Sequence, residues 1–532
     1  MLFVRFLMNM ALAQPPQLIL DIVPGSGGSG APAESAVLAD ALIMRATTPE
    51  HGSELWRTDG TAAGTYLLKD AWPGAMSGMP QGLVAFDERL YFTANDGAHG
   101  FELWSTDGTA AGTAMLADLA PGEASLSPIQ LTPSTNGLFF AATTASEGNE
   151  LWWSDGTAAG TGLVLDILPG TDQSVPQDPV VMDDVLYFGA DDGVNGRELW
   201  RSDGTAAGTY MVKDIRPGDS DGYPHGMCVA GGVLYFNAYD GVHGAELWRS
   251  DGTEAGTYLV KDIASGDVGS NPTGITEFEG ALIFSAYTEA VGRECWKSDG
   301  TEAGTVLIAD LSPGSSNGVP TDRYTVAAGL VFFLGVNESA GSGSELHASD
   351  GDSIWLVKDI LPGQGNGVTG GILAACDGVL FRAQDGEHGL EAWRSNGTEA
   401  GTYLIADIEP GPGGSATPRA VLGNAAVLTV NTTALGSEPW IYPCGWSSVE
   451  EPWGDELFRV LPNPARDQFI IELPPVQGTT TISVHDPRGR LVHQQRTSAR
   501  TIVLDAHLWS SGLYLIEAEQ GARRYKRKLV VE

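Results

Sequence analysis

A tryptophan returns every 48 residues, at Trp56, Trp104, Trp152, Trp200, Trp248 and Trp296, each time inside Glu-Leu-Trp-x-x-Asp-Gly-Thr-x-x-Gly-Thr or its Cys295 variant. A repeat this short cannot bury its own apolar face, so copies must stack on one another, and the chain is confined to propellers, solenoids and arrays. The series continues less evenly: His347 stands in the Trp slot after a step of 51, then come Trp393 after 46 and Trp440 after 47. That makes nine units. Each also carries an Asp-Leu/Ile-x-Pro-Gly-like element, at Asp21, Asp70, Asp118, Asp166, Asp214, Asp262, Asp310, Asp359 and Asp407.

One unit shows the local grammar. Val233-Leu234-Tyr235-Phe236 leads to the turn Asp240-Gly241-Val242-His243-Gly244, then to Glu246-Leu247-Trp248, the turn Asp251-Gly252-Thr253, and Tyr258-Leu259-Val260-Lys261. β-Branched and aromatic runs alternating with Asp-Gly turns predict antiparallel hairpins. A further apolar stretch, such as Gly82-Leu83-Val84-Ala85-Phe86, supplies a fourth strand. Turn density and the lack of a 3.6-residue period exclude a helical repeat. The expected fold class is all-β, a propeller of about nine four-stranded blades over residues 17–440, with eight blades plus a divergent unit near His347 as the alternative. The series opens on Leu18-Ile19-Leu20-Asp21, the last strand of a unit, and finishes on Glu438-Pro439-Trp440 without one. These fragments complement each other, so the first strand is expected to complete the ninth blade and remove its exposed edge.

From Leu18 to Trp440 the repeats resemble the bacterial family named for its ELWxxDGT motif, found in secreted and surface proteins. That resemblance implies an exported, propeller-like protein and supplies no reaction.

Charge divides the chain. Net charge is -38, but residues 458–532 hold 11 Lys/Arg against 7 Asp/Glu, and the remainder holds 18 against 60. A body this acidic repels nucleic acid and anionic membranes and favours cations, basic partners or a saline medium. Arg5, the apolar run from Phe6 and the small-x-small end Ala11-Leu12-Ala13 predict a signal peptide over residues 1–13. No stretch reaches the length of a membrane span. Four cysteines are too few for a disulfide scaffold; Cys295 fits a buried apolar slot, and a bridge between Cys376 and Cys444 is left open.

The candidate chemistry lies on the face that carries the blade-to-blade connections. Each unit keeps the motif Glu and the terminal Asp, and in the pairs Glu102 with Asp118, Glu198 with Asp214 and Glu246 with Asp262 antiparallel pairing sets two carboxylates opposite each other. Facing like charges destabilise a sheet. A bound calcium ion, a raised pKa on one acid, or separate hydrogen bonding of each acid by its own loop would each resolve the conflict. His51, His99, His243 and His388 precede the motif Glu by three residues but belong to separate blades and cannot share one zinc ion. The Asp-Gly-Thr turn is similar to the Asp-box of sialidase-type propellers, a structural turn, and the Trp row is expected to be inter-blade core. No nucleophile elbow, zincin helix or phosphate loop occurs, and departures from symmetry are sought between Asn337 and His347.

Beyond a linker at residues 441–457, Pro462-Asn463-Pro464, Asp486-Pro487-Arg488-Gly489, Gly512-Leu513-Tyr514 and the basic tail around Lys528 punctuate alternating apolar runs, which predicts a small β-sandwich. These blocks resemble the type A sorting domain of the type IX secretion system of Bacteroidota; Leu461 departs from it, an aromatic being common there. The resemblance implies export across the outer membrane, removal of this domain, attachment at the cell surface or release, and the secretion machinery as partner. It makes Gly489 and Gly512 turn residues and Lys528 part of what the machinery reads. The expected function is a non-catalytic, exported binding or adhesion propeller for an extracellular glycan or protein; the alternative is a secreted polysaccharide hydrolase or lyase on the same scaffold.

Overall fold

The structure, a computed structural model, describes residues 15–25, 30, 32–319, 323–337, 341–411 and 413–444, and segments of the tail between 459 and 531. The expected signal peptide lies outside the described residues. No helix occurs among those described. The chain forms two compact units, residues 13–445 and a unit that includes residues 446–532.

The first unit is a ring of nine four-stranded antiparallel sheets, which settles the choice between eight and nine blades. Blade one consists of Ala33–Leu38, Ala41–Thr48, Gly52–Thr58 and Tyr66–Lys69, and the other blades repeat this meander. First strands pack against first strands of adjoining blades, so they stand innermost, and the strand after the Asp-Gly-Thr turn is outermost. The second strand of each blade reads as a nearly unbroken apolar run; Leu186, Tyr187, Phe188 and Ala190 are all buried. That pattern follows from position, because blades cover this strand on both sides. Leu199, Val212 and Ile215 of blade four, for example, share one core with Leu234, Phe236 and Trp248 of blade five. The tryptophan row is inter-blade core. His347 takes the same place in blade seven, 3% exposed and stacked on Phe333 at 5.9 Å.

Closure uses both ends of the repeat series. The ninth sheet comprises Ser415–Leu422, Ala425–Thr432 and Gly436–Pro443, and its outer strand is Gln17–Leu18, paired Gln17 to Ile441 and Leu18 to Trp440. Its third strand runs to Pro443, so the linker expected from residue 441 begins later. Ile19 donates to the Pro439 carbonyl at 3.0 Å, and Ile19 and Ile22 enter a core with Leu42 and Met44 of blade one and Val427 of blade nine. Beside this seam a disulfide joins Cys376 to Cys444. Cys295 is fully buried between blades six and seven.

The second unit holds a three-stranded and a four-stranded sheet. Alternate residues Phe469, Ile471, Ile482, Val484, Ile502 and Leu504 meet Tyr514 and Ile516 in one core, the arrangement of a sandwich.

Deleting residues 17–23 is expected to expose blades one and nine and to strip the core of Ile19 and Ile22. Each buried isoleucine stabilises by about 1.5–3 kcal/mol, so chemical denaturation should report a loss of at least about 3 kcal/mol. A truncated protein that unfolds at the wild-type denaturant midpoint would contradict ring closure by this segment.

Candidate functional site

The motif glutamates stand at the head of the third strand of every blade, where the chain returns from the second hairpin turn. All nine are fully buried. In blade four, Glu198 accepts the amides of Ile215 at 2.7 Å, Arg216 at 3.3 Å and Gly222 at 2.8 Å, all in the connection to blade five. Blade one repeats the set with Ala71, Trp72 and Gly78, and blade six with Leu311, Ser312 and Gly318. In blade nine no following blade exists to supply a connection, and the N-terminal segment supplies it: Glu438 accepts Ile22 at 2.9 Å, Val23 at 3.4 Å and Gly30 at 3.0 Å. Glu391 of blade eight is the exception. The amides of Ile408 and Glu409 lie beside its buried oxygens without forming well-shaped hydrogen bonds.

The residues considered for calcium therefore already have partners of another kind. Glu102 accepts Leu119, Ala120 and Leu126, and Glu246 accepts Ile263, Ala264 and Ser270. Their strand partners cap their own loops, as Asp118 does with Gly122 and Asp166 with Gly170, each through Oδ2. One oxygen of Asp214 and one of Asp262 are buried without a partner. Among the described residues no group of three or more His, Cys, Asp or Glu side chains could hold a metal ion. The histidines stay within their own blades: His99, His243 and His388 each bond the aspartate three residues before, at 2.7 Å, and His51 bonds Asp70 at 2.8 Å. The opposite face carries the Asp-Gly-Thr turns, where Asp203 accepts both the amide and the hydroxyl of Thr205.

Between Asn337 and His347 the ladder shifts register beside Gly335, His347 is core, and residues 338–340 lie outside the described residues; further departures from symmetry lie elsewhere. They concentrate where the connection from blade four enters blade five. Tyr223 holds a left-handed backbone with φ of 52°, a conformation shared by Met79, Ser127, Val175 and Asn271 one repeat apart. Its amide is pinned to the Arg197 carbonyl at 3.0 Å, and its ring is 49% exposed. Such strain persists only where surrounding structure imposes it, and here it projects a side chain outward. The Arg197 guanidinium lies 6.0 Å from the Tyr223 ring, and His225 meets that ring edge-on at 5.5 Å. His225 Nε2 lies 3.3 Å from Nδ2 of Asn237, which also donates to Asn271 Oδ1 at 2.8 Å. Asn237 is fully buried, and its Oδ1 has no donor. Alongside, Arg216 stacks on Tyr239 at 4.6 Å. Among the described residues neither Arg197 nor Arg216 forms an ion pair, although the chain has 67 Asp/Glu to 29 Lys/Arg. No motif announces this cluster; comparing the same phase across repeats would have found it, since position 237 is occupied elsewhere by Arg45, Thr93, Ala141, Gly189 and Ser285.

Burial pushes all nine motif glutamates above the usual carboxylate range, Glu54, Glu102, Glu198, Glu294, Glu345 and Glu391 to about 7, while the amide bonds pull the other way. A folded pKa above the unfolded value means that folding takes up protons between the two. This stabilisation is complete below about 4.5 and is lost as pH rises through about 7. His99, His243 and His388, raised by their aspartate partners, act in the same direction. The melting temperature should therefore fall steadily from pH 5 to pH 8.5, and a rise across that window would contradict the assignment.

In the tail, Gly512 opens a strand, Tyr514 is buried against Trp509, and the backbone of Lys528 pairs with Leu515. Pro462, Asn463, Pro464, Asp486 and Gly489 lie outside the described residues. No curated protein matches the chain. Among solved structures the chain is similar to a puromycin hydrolase at 13% identity and a TM-score of 0.37, covering 66% of this chain and 58% of that one. It is also similar to PorZ, a surface component of the type-IX secretion system of Porphyromonas gingivalis, at 14% identity and 0.31, covering 94% and 75%. The propeller domain of the Trilobed protease from Pyrococcus furiosus gives 12% and 0.31, covering 62% and 97%. The chain thus spans less than two thirds of the puromycin hydrolase. Residues 459–532 match the secretion system C-terminal sorting domain family, and this tail marks the propeller for secretion and for attachment at the cell surface or outer membrane.

Proposed function

We propose that the protein is a non-catalytic binding propeller of the cell surface, and that it engages an anionic extracellular glycan through the cluster of Arg197, Arg216, Tyr223, His225, Asn237 and Tyr239. The observation that carries the reading is the pair of arginines without carboxylate partners in a strongly acidic body. Guanidinium groups held on tyrosine faces offer planar donor forks suited to carboxylate or sulfate, and the exposed Tyr223 ring offers a flat apolar surface beside them. The acidic remainder repels polyanions, so attraction is focused on this patch. The motif glutamates, which a hydrolase would need as acid and base, are fully buried, and all but Glu391 are bonded to backbone amides, which disfavours the catalytic alternative.

Titration of the full chain with polygalacturonate and with neutral dextran tests the reading. Binding to the first should weaken with salt and fall at least tenfold in Arg197→Ala with Arg216→Ala, since each charge-assisted bond contributes about 1.5–3 kcal/mol. Equal affinity for dextran, or no effect of the double substitution, would remove the site.

The tail is read as an address for the secretion machinery. Cells expressing the chain without residues 458–532 should retain the propeller behind the outer membrane, and surface proteolysis should leave it untouched. Normal surface display of that truncation would contradict this role.

A further inference from the structure

A second site opens on the other side of the ring, between blades three and four. In blade four the cross-strand neighbours Tyr187, Arg201 and Tyr210 fill the outer edge, and in blade five Tyr235, Arg249 and Tyr258 do the same. The guanidinium lies 5.3 Å from the Tyr210 ring in the one and 5.4 Å from the Tyr258 ring in the other. Blade three carries Phe139, Trp153 and Gly162 at the same positions. Exchanging Tyr-Arg-Tyr for Phe-Trp-Gly removes the outermost side chain, sets an indole where the guanidinium stands, and leaves a cavity of about 250 Å³ lined by Trp153, Gly160, Thr161, Gly162 and Gly204.

Its geometry is imposed by glycine. A Cβ at Gly137 would lie 2.4 Å from the indole, so the ring is seated against bare backbone, and a Cβ at Gly162 would meet nothing within 4 Å, so the space above it is open. Gly204, with φ of 87°, brings the Asp-Gly-Thr turn of blade four to the indole nitrogen. Trp153 is partly exposed, and among the described residues no acceptor meets its Nε1. An aromatic floor, a free N–H at its edge and a volume somewhat under the ~300 Å³ of the smallest common ligand pockets suit one flat ring with an apolar C–H face and hydroxyls around it. The rim is anionic. The Asp155 carboxylate lies against the lining residue Gly160, the Asp203 carboxylate lies one turn further off against Gly208, and hydrogen bonds from Thr157 and Thr205 hold both acids below the usual carboxylate range, so charged.

We propose that this cavity is a saccharide-binding pocket that seats one neutral pyranose ring on Trp153 and excludes uronate and sulfated sugars. It is separate from the arginine cluster and of opposite charge preference.

Calorimetric titration of the full chain with cellotetraose, xylotetraose and mannotetraose, with tetragalacturonate as control, tests the pocket. At least one neutral tetrasaccharide should bind with one-to-one stoichiometry. Its affinity should fall at least tenfold in Trp153→Ala and in the double variant Trp153→Arg with Gly162→Tyr, which restores the residues that blades four and five accommodate. In the wild type alone, saturating ligand should protect Trp153 from N-bromosuccinimide, as read by peptide mass. Tetragalacturonate, taken up by the arginine cluster, should bind those variants as it binds the wild type. No saturable binding by any neutral tetrasaccharide, undiminished binding of the neutral ligand in folded variants, a loss of tetragalacturonate binding in those variants, or oxidation of Trp153 at the unliganded rate would each overturn the proposal.

Discussion

Everything in the ring hangs on a buried carboxylate that accepts amide protons from the loop leading to the next blade. Such a loop has no strand partner for its amides, and a glutamate from the adjacent third strand collects two or three of them at once, as Glu198 does with Ile215, Arg216 and Gly222. Removing a carboxylate from water is costly, and convergent charge-assisted bonds are the usual compensation. Burial and hydrogen bonding oppose each other here and burial wins, which raises these acids above the usual carboxylate range, Glu198 to about 7, and ties the ring to pH. The terminal segment meets the same demand. Ile22, Val23 and Gly30 occupy around Glu438 the places that a connection fills in other blades, so closure reuses the inter-blade joint and adds only a two-residue strand.

Because the motif residues are consumed by the ring, both proposed binding sites lie at positions that vary between repeats. Two of these stand out for opposite reasons. At the connection into blade five, side chains have been added: Tyr223 on a left-handed backbone, Arg197 on its ring, and His225 and Asn237 behind it. At the outer edge of blade three a side chain has been removed, and Gly162 stands where the next two blades have tyrosine. Neither change disturbs the glutamate joint or the Asp-Gly-Thr turn, so both fit a scaffold whose repeats already close the ring.

The architecture was legible because a propeller repeats its constraints. The 48-residue step, the apolar second strand, the Asp-Gly turns and the orphan strand at Leu18 each follow from burial or hydrogen bonding that recurs from blade to blade. The residues of the proposed arginine cluster come together once, from four separate segments, so spacing within one repeat carries no trace of the cluster. The facing acids illustrate the same limit. Antiparallel pairing placed Glu246 opposite Asp262, but it said nothing about the connection folding back with amides for Glu246. The bridge from Cys376 to Cys444, 68 residues apart, was likewise only one open option until the strands of blades eight and nine were set side by side.

Amide hydrogen exchange resolved by peptide mass tests the joint most directly. The account predicts that the connection around Ile215 and Gly222 exchanges as slowly as the strands of blades four and five, while the neighbouring hairpin tip at Val194, 70% exposed, exchanges fast. A connection that exchanged as fast as that tip would contradict the claim that the buried glutamates hold the ring together.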